Sequence, residues 1–232
     1  MSLCDQIEDA LKANTLDADA LSKQISKWRT QWSDFGRVPK AKIKQSEKRW
    51  KDVSSQSKTL LLALQRENQN KSDERLFAFS KICTAVENGL INKQPVDLDQ
   101  VKQEWNNLET LPTSAMSKLN KRFENAIKSI ESDTPPEKVS QLAERNFETL
   151  NQYLLQLELN LGIDSPDEFS KQRMALQINR LSAALGKGGD EPALNNEELV
   201  YAIHSLGPVK LDRQSESMSR FQSCYKSMQS VG

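Results

Sequence analysis

The sequence predicts an all-α protein: tandem helical-hairpin repeats forming small bundles joined by long helices. Three observations predict this. Large apolar residues recur at intervals of three and four along most of the chain, the signature of one buried helix face. Glycines number only eight and runs of β-branched residues are few, which argues against a sheet. One hairpin pattern returns twice at fixed offsets, as in a repeat architecture. A hydrophobic content of 37% is low for one thick core and suits thin layers of helices that each bury one stripe.

Residues 3–13 read as a short amphipathic helix with Leu3, Ile7, Ala10 and Leu11 on one side. Asn14 suits its end, and Asp17 can cap the next helix. Leu21, Ile25, Trp28, Trp32 and Phe35 then fall on one face, so the tryptophans are expected in the core. Gly36 supplies the left-handed residue that ends a helix, and Pro39 suits the first turn of the following one. Ile43, Trp50 and Val53 should face the first stripe across a tight turn at 36–39.

No proline or glycine interrupts residues 40–88, which read as one very long helix or as two collinear ones broken near Asn70–Ser72. The wholly polar stretch 65–74 would bridge two bundles through solvent. The stripe resumes at Leu76, Phe79, Cys83, Val86 and Leu90, and Gly89 to Pro95 reads as a loop.

A second hairpin runs from Leu98 through a turn at 109–112 to Ile130. It aligns with the first without a gap at an offset of 73, matching Trp32 to Trp105 and Trp50 to Phe123. Thr134-Pro-Pro136 breaks the chain, and a helix then ends at Gly162. Ser165 and Pro166 read as cap and first residue of a helix with the stripe Met174, Ile178, Leu181 and Leu185. The segment 186–192 reads as a linker and lacks the features of a phosphate-cradling loop.

A third, divergent copy turns at 207–209. Leu199, Ile203, Leu206 and Gly207 match Trp28, Trp32, Phe35 and Gly36 at an offset of 171, as Phe221 matches Trp50. The repeats divide the chain at 1–72, 73–134 and 135–232. His204, the single histidine, reads as half-buried and structural, having no positioned partner.

Composition narrows the function classes. Thirty-two basic and 32 acidic residues cancel. No run of about 18 apolar residues predicts a membrane span, and the start of the chain lacks the basic and apolar regions of a secretory signal. Three widely spaced cysteines fit free thiols in a reducing cytoplasm. One histidine and no Cys-x-x-Cys pair leave no zinc spacing. No catalytic residue, cofactor or metal is expected.

The pattern Trp28-x3-Trp32-x2-Phe35-Gly36-x-Val38-Pro39, followed by Trp50, resembles a bacterial helical-repeat family catalogued as domain of unknown function 349. The stretch from Leu157 to Pro166, with Arg173, Met174 and Gln177, is similar to the C-terminal part of its longer members, so the chain resembles a C-terminal fragment. The second copy carries Glu109 where glycine is usual, and the third lacks the tryptophans and the Val-Pro pair. The resemblance implies a fold and an intracellular bacterial setting, and no activity.

Two functional expectations follow. The first is a non-enzymatic interaction scaffold with a protein partner, since repeat arrays present extended surfaces rather than deep pockets. The second is an RNA- or DNA-binding or ribosome-associated protein. Between Lys23 and Lys51 ten basic residues face only Asp34 and Glu47, a local excess of eight positive charges in a neutral chain. Its candidate contacts are Lys40, Lys42, Lys44, Lys48 and Arg49, with Lys40, Lys44 and Lys48 one turn apart.

Overall fold

The computed structural model describes residues 2–34, 40–185 and 194–230. Among them are nine α-helices, two short 3-10 turns and no strand. The expected turn at 36–39 and the segment 186–192 lie outside the described residues, as does Phe35. The chain divides into two compact units, Met1–Ser72 and Asp73–Gly232.

The first unit holds α1 (Leu3–Ala13), α2 (Ala18–Asp34) and the first part of α3 (Lys40–Asn92). Ser2 and Asp5 form a capping box at the start of α1, and Asn14 ends it in the left-handed conformation. Asp17 Oδ1 accepts from the Ala20 amide at 2.8 Å, starting α2. The core is thin: Leu3, Cys4 and Ile7 of α1, Leu21 and Trp28 of α2, and Val53 of α3. Trp28 is buried as expected. Trp32 and Trp50 are only half-buried and stack at the core's edge, ring centroids 4.7 Å apart and nearly parallel.

Helix α3 is continuous, with no break near Asn70–Ser72. It also runs past Gly89, where a loop was expected, to Asn92. The glycine answers to packing rather than to a turn, because the Val96 side chain lies where a Cβ at residue 89 would stand. The turn comes at Lys93, in the left-handed region at φ 56°. The Gln94 amide closes back on the Gly89 carbonyl at 2.8 Å, so the helix ends in a six-residue loop of the Schellman type.

The second unit continues with α4 (Leu98–Asn107), α5 (Thr113–Glu131), α6 (Pro136–Leu161), α7 (Ser170–Ala184), α8 (Asn196–Ser205) and α9 (Gln214–Ser230). The expected turn at 109–112 is there, between α4 and α5. The one expected at 207–209 is longer, because a 3-10 turn, Leu211–Arg213, precedes α9. Trp105 and Phe123 stack with centroids 4.0 Å apart, fixing α4 against α5. One core joins Phe79, Cys83 and Val86 of α3 to Leu119, to Leu154 and Leu157, and to Leu199 and Phe221. Residues 73–134 and 135–232, read from sequence as two repeats, therefore share a core. Helix α6 ends at Gly162 with φ 68°, as its position predicts. All three cysteines are free and buried, and burial pushes Cys83 up to about 12 and Cys224 to about 11.

Candidate functional site

Three arginines stand 73 and 98 residues apart: Arg49, Arg122 and Arg220, each just before Trp50, Phe123 or Phe221. Each takes a glutamate in a two-pronged grip. Arg49 donates Nε and Nη2 to the two carboxylate oxygens of Glu8, both at 3.0 Å, and Nη2 also reaches Asp5 at 2.6 Å. Arg122 holds Glu87 at 2.9 and 2.7 Å. Arg220 holds Glu158 at 2.8 and 3.0 Å. The glutamates sit in a common setting: Cys4, Ile7, Glu8 and Leu11; Cys83, Val86, Glu87 and Leu90; Leu154, Leu157, Glu158 and Leu161. Each helix that carries a glutamate thus packs its apolar stripe on a hairpin and places the carboxylate under the arginine.

The surroundings of the pairs differ. Arg122 spends its remaining N–H groups on Ser80, Thr84 and the His204 carbonyl, so all its donors are used. Burial pushes the Glu87 carboxyl above the ordinary range, against the pull of Arg122. Arg220 adds Asn151 Oδ1 at 2.7 Å and covers the Phe169 ring. Ser165 donates to Glu158 at 2.5 Å and accepts from Arg173 at 2.7 Å. Ser165 was expected to cap a helix; instead a 3-10 turn, Asp167–Phe169, leads into α7 with no side-chain cap. Sequence reading passed over Glu87, Arg122, Glu158 and Arg220. The available signal was a charge at a core-facing position of an apolar stripe, as Arg122 lies three residues from Leu119 and four from Ala126.

The basic row of α3 is divided. Residues four apart share a face, whereas 42 and 49 are rotated from 44 and 48 by about 100–160° around the helix. Arg49 is turned to the acidic start of α1, where hydrogen bonds from Ser2 and then from Arg49 hold Asp5 down to about 2. Glu8 is lowered as well, chiefly by its bond from Arg49. Lys42, Lys44 and Lys48 are exposed. The side chain of Lys40 lies outside the described residues.

His204 is buried rather than half-buried. It packs against Phe77 and Phe221 with centroids 4.6 and 4.8 Å away. Burial, seconded by the Arg122 charge, lowers it to about 3, so the ring is neutral. Among the described residues no group of His, Cys, Asp or Glu could hold a metal ion. No helix among them is long and apolar enough to cross a membrane.

The largest departure from expectation is α7. Its stripe predicts a buried face, yet Met174, Ile178, Leu181 and Leu185 are 62, 55, 65 and 71% exposed. The helix carries Lys171, Arg173 and Arg180 and no carboxylate. No family model, curated protein or solved structure matches the chain.

Proposed function

We propose that this chain is a non-enzymatic helical interaction protein, three copies of one three-helix unit, with a docking face on α7. The observation that carries the proposal is the exposed stripe of four large apolar side chains at helical spacing. A folded domain gains nothing from keeping such a row in water unless another surface covers it. The partner is a protein helix with an apolar stripe and acidic flanks, because α7 offers cations and no acid beside its stripe. The buried pairs of Arg122 with Glu87 and Arg220 with Glu158 favour a structural role for the charged residues of the core. The resemblance of the first hairpin to a helical-repeat family agrees with this reading and assigns no reaction. Buried free thiols suit the cytoplasmic setting that belongs to the same proposal.

The nucleic-acid reading loses support from the geometry. Arg49 is neutralised by Asp5 and Glu8, and Lys42 lies on a different side of α3 from Lys44 and Lys48. Affinity purification with and without nuclease separates the readings. Protein recovery that survives nuclease, persists in Lys44→Glu/Lys48→Glu and disappears in Met174→Ser/Ile178→Ser/Leu181→Ser is the expected result. Recovery that needs nucleic acid and the two lysines would overturn it.

A further inference from the structure

A cleft of about 600 Å³ opens in the second unit between α5, α6 and the segment leading out of α8. That is the size range of small-molecule sites. Its apolar lining includes Val139, Leu142, Leu206 and Pro208. Leu142 is 42% exposed, whereas Val139, Leu150 and Leu157, on the same side of α6, are buried. One wall is fixed: Asn146 donates Nδ2 to the Pro208 carbonyl at 2.8 Å. Gly207 lies so close that a Cβ there would meet the same Nδ2 at 3.1 Å.

The charge of the lining is one-sided. Lys118 and Lys121 come from α5 and Lys138 from α6, and none has an ion-pair partner among the described residues. The other charged groups of the lining, Arg122 and Glu87, neutralise each other. Ser205, also in the lining, has a buried Oγ without a hydrogen-bond partner among the described residues. Three cations that repel one another and an apolar surface left in water are both unfavourable, and one kind of molecule relieves both.

We propose that this cleft binds a small amphiphilic anion, its apolar body on Val139, Leu142 and Leu206 and its carboxylate or phosphate among Lys118, Lys121 and Lys138. The assignment is independent of the α7 docking face.

The test is calorimetric titration of the full chain with dodecanoate and dodecyl phosphate below their micelle concentrations, with dodecyltrimethylammonium as the cationic control. Saturable one-to-one binding of at least one anion, and none of the cation, is expected; the ratio of the two anion affinities then tells a carboxylate ligand from a phosphate one. Lys118→Gln/Lys121→Gln/Lys138→Gln should weaken binding about tenfold or more with the helical spectrum intact, since three neighbouring charges are lost. Leu142→Glu, which adds a carboxylate to the lining, should weaken it too. Met174→Ser/Ile178→Ser/Leu181→Ser should leave it unchanged. Absence of saturable binding by either anion, equal binding of the cationic chain, or loss in the α7 variant with retention in the lysine variant overturns the proposal.

Discussion

Arg49 and Arg122 make the same contact in different solvents. Each grips a glutamate with Nε and Nη2, and each precedes an aromatic residue that stacks on a tryptophan. The side chains of the first pair are 42 and 32% exposed, and those of the second 6 and 4%. The difference comes from the neighbours. Over Arg122 lies α8, whose His204 carbonyl accepts from the guanidinium at 2.6 Å. No such cover over Arg49 is found among the described residues. A motif can therefore specify a pairing while later parts of the chain decide how dry it is. Dryness sets the energetic weight, because a buried charge that loses its partner cannot turn to water.

The largest effect should come from breaking the dry pair. Arg122→Ala strands Glu87 in the core and should cost about 3–5 kcal/mol in urea unfolding. A loss under about 1 kcal/mol would mean that the pair is wetter than its burial shows. The pH dependence of His204 probes the same cover. Its pKa falls from 6.5 to about 3 on folding, so the unfolded chain takes up a proton that the folded one refuses. The stability from keeping it neutral is complete above about pH 6.5 and is lost as the pH falls toward 3. Between pH 7.5 and 4.5 this amounts to about 2–3 kcal/mol. His204→Leu should remove that part of the slope; an unchanged slope would place the histidine in water.

Smaller effects compare helix ends in the two units. Lys93 holds φ 56° without the freedom of glycine, so Lys93→Gly should stabilise by about 0.5–1 kcal/mol, read from the unfolding midpoint. Asn14, at φ 46°, tolerates that region better, and Asn14→Gly should gain less. Equal gains would mean that the residue type at these caps carries no weight. The exposed pair should respond weakly: Arg49→Ala should move the midpoint several-fold less than Arg122→Ala, since water replaces the lost partner. Comparable shifts for the two arginines would erase the distinction between them.

Local rules carried much of the fold. Asn14, Asp17 and Gly162 end or begin helices where their chemistry says they should. Periodicity placed Trp28, Leu119 and Phe123 inside. The same rule failed on α7, because a stripe states that a face avoids water and not that this chain supplies the cover. It also passed over Arg122 and Glu158, since a lone charge in a stripe reads as a solvated residue until its partner is known. Those partners lie 35 and 62 residues away in sequence. The basic row suffered from the reverse problem. Counting charges showed an excess, but the neutralising Asp5 and Glu8 belong to another helix.

The sequence by itself determined the all-α class and most helix boundaries. These depend on interactions within a few residues: capping, backbone angles and the spacing of a face. Only the tertiary structure decided that α3 passes Gly89, that Arg49 turns to α1, that Arg122 and Arg220 are buried, and that the α7 stripe is exposed. Each of these depends on which distant side chain arrives to pair with a charge or to exclude water, and no local spacing encodes that arrival.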